Sequence, residues 1–190
     1  MTSLTVVFLH GAGRAGADGW PLQAARREPN WVFLDRAPEG DHAEHDAERI
    51  LGELRPSAPG HVVATSYGGN AAIIAAQRHP ELGSSLTLFE PACFDLARGK
   101  PAVEEHIAAM DPVYAVADDP DVSAREFSLR FAAAMGTEPP DLPDDELEET
   151  VTRLRHIASA VAHRHLAGGG HPGACPCRHW KLESAVRPDR

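Results

Sequence analysis

Short apolar runs punctuated by glycine or polar turns set the rhythm of the first half of the chain. Leu4–Leu9, Trp31–Leu34, His61–Ala64 and Ser85–Phe89 are four to six residues long and rich in β-branched, aromatic and leucine side chains. Runs of that length and character predict strands covered on both faces rather than helices. Between them, Ala43–Leu54 places Ala47, Ile50, Leu51 and Leu54 on one helical face. Asn70 to His79 predicts a second helix, whose Ala71–Gln77 stretch is small enough to press against a sheet. Trp20 to Arg27 predicts a short helix ended near Pro29, and Gly11–Gly19 and Asp35–His42 predict loops. Strands alternating with helices at this spacing imply βαβ units and a parallel sheet.

After Pro91 the alternation stops. Ala102–Ala109 and Ala124–Met135 predict helices, the second opened by Ser123 with Glu126 three residues on, a capping box. Pro143 to about Ala167 predicts a third helix, with Asp144, Asp145, Glu146, Glu148 and Glu149 early and Arg153, Arg155 and Arg164 late, the sense that suits the helix dipole. From Gly168 onward neither strand nor periodicity is legible. The pattern therefore divides into an α/β core over residues 1–95, a helical segment over 96–167 and a disordered tail over 168–190.

Composition narrows the function classes. At 190 residues, 43% apolar and 24% charged, the chain is long enough to bury a core and reads as one soluble domain. A net charge of −10 disfavours nucleic acid and anionic membranes as partners. No apolar run approaches the roughly 20 residues of a membrane span. Leu4–Leu9 is too short for a signal-peptide core, and three cysteines make no disulfide framework, so a cytoplasmic location is expected.

The chemistry lies where two of the strands end. Leu4–Leu9 runs into His10-Gly11-Ala12-Gly13, and His61–Ala64 into Thr65-Ser66-Tyr67-Gly68-Gly69 and then a helix. A serine at a strand-to-helix turn between small residues is how a nucleophile is raised above a parallel sheet. In this order, oxyanion loop first and nucleophile elbow second, the chain resembles the serine-nucleophile branch of the α/β-hydrolase superfamily. The resemblance covers residues 3 to 95 well and 96 to 155 loosely. It implies a parallel sheet with flanking helices, a cap built from the helical segment, Ser66 as nucleophile, and the backbone N–H groups of Ala12 and Tyr67 as oxyanion hole. His10, Gly11, Gly13, Gly68 and Gly69 would support the two loops. Ala64, two residues before Ser66, stands where the family more often has glycine. The implied substrate is a small acyl ester, with no cofactor and no metal; a dehalogenase is disfavoured, because that branch carries aspartate at the elbow. Taken alone, the string around Ser66 also fits an ordinary tight turn. Glu90, at the end of Ser85–Phe89, is either the triad acid or a strand-terminal carboxylate capping the turn at Pro91.

The tail departs from the family. No histidine follows a C-terminal strand, and the last two strands are missing, which leaves Ser85–Phe89 as an uncovered edge. His163, His165, His171, Cys175, Cys177 and His179 gather six ligand-type side chains within 17 residues, yet Cys175-Pro176-Cys177 lacks the spacer common in zinc knuckles. Codons for residues 158 to 188 read one base out of register permit a β-branched strand, a glycine and a polar loop, as the family carries after its cap. A truncated or frameshifted C-terminus is the reading this supports. Two functions follow: a serine hydrolase of doubtful turnover, or a non-catalytic hydrolase-like chain that binds a small ligand or a protein.

Overall fold

The computed structural model describes residues 4–35, 37, 43–166 and 181–184. Strands β1 (Val6–Leu9), β2 (Trp31–Leu34), β3 (Gly60–Thr65), β4 (Gly83–Phe89) and β5 (Lys181–Ser184) form one sheet in the order β2-β1-β3-β4-β5. Every neighbouring pair is parallel. The chain steps from β1 outward to β2, then back past β1 to β3 and on to β4. The first crossover carries α1 (Pro21–Ala24), and the second and third carry α2 (Ala43–Leu54) and α3 (Gly68–Arg78), which pack against each other and the sheet.

The apolar rhythm explains these elements. Val7, Phe8 and Leu9 are buried, as are Val62, Ala64, Leu86 and Leu88 on the strands beside them. Ala47, Ile50, Leu51 and Leu54 form the buried face of α2, and Ala71, Ala72, Ala75 and Ala76 that of α3. With methyl groups alone on that face, α3 packs close against both α2 and the sheet. The α1 helix is shorter than its pattern predicts, because a 3-10 turn (Gly16–Gly19) precedes it and Arg27 leaves the helical region with φ +52°.

The described residues fall into two compact units divided between Cys93 and Phe94. The second contains α4 (Pro101–Tyr114), α5 (Ala124–Met135) and α6 (Asp144–Leu166). The α4 helix outruns its predicted end by continuing through Pro112, whose missing N–H costs only one bond in the last turn. In α5 the cap is the one expected: Ser123 accepts a bond from the Glu126 N–H at 3.2 Å, and Gly136 ends the helix at φ +64°. Met110, Val113, Phe127, Leu147 and Val151 are buried there. From α6, Arg155 reaches the turn between α4 and α5, donating to the carbonyls of Ala117 and Asp119 at 3.2 and 3.1 Å and to that of Val122, with its guanidinium 4.9 Å from the Phe127 ring centre. Among the described residues no helix is long and apolar enough to cross a membrane.

One expectation needs correction. No strand was legible after Gly168 and β4 was expected to be an uncovered edge, yet Lys181–Ser184 pairs in parallel with Ser85–Leu88. Strand pairing satisfies the backbone N–H and C=O groups of an open edge whatever the side chains are, so a segment with Leu182 as its one apolar residue can still occupy the position. The remainder of the tail, including His171, Cys175, Cys177 and His179, lies outside the described residues, as do the side chains of His163 and His165.

Candidate active site

The connections that leave β1 and β3, neighbours in the sheet, run toward opposite edges, and such a switch point opens a crevice beyond the strand ends. Leu9 pairs with Ala64 at the carboxyl ends of β1 and β3, so the loops that follow these strands begin side by side. The loop after β1 carries His10–Gly13, and the turn after β3 carries Ser66. The two sequence-identified loops thus meet because of strand order and register.

They meet closely. A Cβ on Gly11 would stand 3.0 Å from Ser66 Cβ and 3.6 Å from its Oγ. One on Gly68 would stand 2.5 Å from the His10 carbonyl oxygen and 3.0 Å from Leu9 Cγ. Only glycine fits at 68, and the small residue demanded two places after the serine therefore answers to the β1 loop lying against it. Gly69 is constrained from the other side, since its Cβ would stand 2.6 Å from that of Pro91. At Gly13 a Cβ would meet nothing within 4 Å, so packing there does not require glycine.

Ser66 has φ +51°, a left-handed conformation that costs a non-glycine residue roughly 1–2 kcal/mol. Such strain persists where the surroundings over-determine it. Its N–H donates to the Phe89 carbonyl at 3.0 Å, and its carbonyl accepts from Gly69 at 3.0 Å and Ala92 at 2.9 Å. The strained residue is consequently lifted out of β3, and its side chain remains partly accessible. Tyr67 is buried and stands at the start of α3, where the helix dipole presents its positive end. His10 is also buried, and its Nδ1–H donates to the Gly11 carbonyl at 2.8 Å. That carbonyl and the Ala12 N–H share one planar trans peptide and point in opposite directions, so the imidazole fixes the direction of the Ala12 donor.

A left-handed serine at a strand-to-helix turn of a parallel sheet, with a glycine loop pressed to it from the neighbouring strand, is accompanied by wider similarity. The sequence profile of the "Alpha/beta hydrolase family" covers residues 6–185. The chain belongs to the alpha/beta hydrolase family. Solved structures agree on the fold. A marine microorganism esterase is 12% identical with a TM-score of 0.55, over 96% of this chain and 76% of that one. An epoxide hydrolase of the alpha/beta hydrolase superfamily, from metagenomes of hot environments, is 13% identical with a TM-score of 0.54, over 85% of this chain and 62% of that one. Of two other solved structures this chain spans 41% and 58% of the length. No curated protein matches this alpha/beta hydrolase.

Glu90 follows β4 as Ser66 follows β3, for Thr65 and Phe89 are the last register pair of these strands. Its side chain is exposed, and its φ of +45° repeats the left-handed conformation of Ser66. Among the described residues, no histidine is hydrogen-bonded to Ser66 or to Glu90. His61 is instead engaged with Ser85 Oγ at 2.7 Å, His79 with Glu81 at 2.9 Å, and His106 with the Phe94 ring. Three contributors were not legible in the sequence as parts of the site. Gly19 admits the His10 side chain, at 2.8 Å from where its own Cβ would be. Trp20 packs edge-on against both Phe8 and Phe89. Ala92 donates to Ser66. The one sequence signal was the run of small residues and Pro91 just after β4, which reads as an ordinary turn until β3 is placed beside it.

Proposed function

We propose that this alpha/beta hydrolase is built to act on a small acyl ester through Ser66. The observation that carries the reading is the strained Ser66 backbone at the end of β3 with the Gly11 backbone pressed against it. Amide donors set in advance around that place would cost nothing to reorganise during the reaction. Ser66 Oγ would attack the acyl carbonyl carbon, and the Ala12 and Tyr67 N–H groups would receive the negative charge that develops on the carbonyl oxygen. The hydroxyl proton must pass to a base, the alcohol then leaves, and water later releases the acid from the acyl-serine. A triad acid works through the histidine it orients, and no such histidine joins Glu90 to Ser66 among the described residues. The Glu90 carboxylate is therefore left out of this mechanism.

That no histidine among the described residues is hydrogen-bonded to Ser66 supports a second reading, a hydrolase-like chain that binds a small acyl compound without turning it over. A serine without a positioned base keeps only the contribution of the oxyanion hole and binding, about 10³-fold or more below a complete triad. A fluorophosphonate probe followed by peptide mapping tests the site, and p-nitrophenyl acetate tests turnover. The expected result is an adduct on Ser66 with slow or absent ester cleavage. An adduct on another serine of the folded chain overturns the assignment of Ser66. Cleavage at ordinary esterase rates, abolished by Ser66→Ala, overturns the non-catalytic reading.

A further inference from the structure

Two left-handed residues stand side by side at the ends of β3 and β4, Ser66 at φ +51° and Glu90 at φ +45°. The first has a purpose in raising the hydroxyl. The second has none in the proposed chemistry, and Glu is an unfavourable residue for that conformation. Its side chain supplies no compensation, being exposed and, among the described residues, without a hydrogen bond or ion pair.

The backbone around Glu90 does have a task. Phe89, before it, accepts from the Ser66 N–H at 3.0 Å, and Ala92, after it, donates to the Ser66 carbonyl at 2.9 Å. Both polar backbone groups of the strained serine are thus held by residues flanking position 90. To present a carbonyl and then, three residues later, an N–H to the same residue, the chain must double back, and the left-handed turn at 90 makes that reversal. Pro91 lies against the first turn of α3 at the place of a Gly69 Cβ, so the turn rests on the helix that follows the elbow.

We propose that Glu90 is a positioning residue acting through its backbone: the Phe89–Ala92 turn holds Ser66 in its elbow conformation, and the carboxylate plays no part. The proposal rests on Ser66 being the nucleophile. It separates three substitutions. Glu90→Gly and Glu90→Asn remove the charge but accept a left-handed φ, whereas Glu90→Val removes the charge and resists it.

In the full chain, two quantities are read: hydrogen exchange at the Ser66 and Ala92 amides, and the rate of fluorophosphonate labelling at Ser66. Glycine and asparagine are expected to keep both within about threefold of the parent. Valine is expected to speed exchange at the two amides and slow labelling by about tenfold or more, while Val7 and Val62 in the sheet stay protected. If glycine and asparagine slow labelling as much as valine does, the carboxylate is the active part and the proposal is wrong. Unchanged amide exchange in the valine variant also overturns it. Should valine prevent folding, the glycine and asparagine variants decide alone. Labelling at a different serine, with the amides following the expected pattern, would remove Ser66 as nucleophile and leave the backbone brace supported.

Discussion

Gly13 and Gly68 read alike in the sequence, each a glycine in a short loop after an apolar run, yet they bear different loads. At Gly68 a methyl group would collide with the His10 carbonyl and Leu9 at 2.5 and 3.0 Å, both parts of a buried strand and its loop. At Gly13 it would enter open space. Gly68→Ala is expected to lower stability by about 1–3 kcal/mol and to slow Ser66 labelling, because the backbone must separate the two loops. Gly13→Ala is expected to stay within about 0.5 kcal/mol of the parent, as surface changes do. Urea unfolding of the two variants checks the contrast, and equal costs would contradict it. The requirement at 68 is set by a residue about 60 positions away in sequence, which is why local pattern could name the glycine and not its reason.

Among the helices after Pro91, α5 was the most legible. The α5 helix has the predicted bounds, because cap, apolar face and terminal glycine are all local signals. What joins these helices was not legible. Arg155 reads in the sequence as one of the late α6 cations that suit the helix dipole, but in the fold it closes the turn between α4 and α5 by donating to three carbonyls. Losing those bonds should matter more than losing a surface charge, since the Ala117 and Val122 carbonyls lose this donor and that of Asp119 keeps only the Val122 N–H at 3.3 Å. Arg155→Met is expected to destabilise the helical unit by about 2–3 kcal/mol. Arg155→Lys should recover less than half of that, because an ammonium cannot reproduce the guanidinium fork. Chemical denaturation followed by helical signal gives both values, and full recovery by lysine would refute the geometric account.

For the molecule as a whole, the consequential feature is the outer edge of β4. Ser85–Leu88 is paired with Lys181–Ser184, and an open parallel edge is a template for another chain. Ending the chain after Trp180 is expected to expose that edge and cause concentration-dependent self-association. Light scattering across a dilution series measures it. A truncated chain that stays at the parent's mass at every concentration would show that β5 does not protect the edge.

The sequence by itself determined the alternation of buried strands and amphipathic helices, the parallel sheet that follows from it, and the two loops with their glycines and Ser66. These are legible because period, cap and turn chemistry are written in neighbouring residues. Only the tertiary structure decided that Leu9 stands beside Ala64, that Gly68 lies beneath the His10 carbonyl, that Ala92 holds the Ser66 carbonyl, and that Lys181–Ser184 closes the β4 edge. Those relations are made by strand order, register and backbone hydrogen bonds, which side-chain pattern along a single segment does not encode.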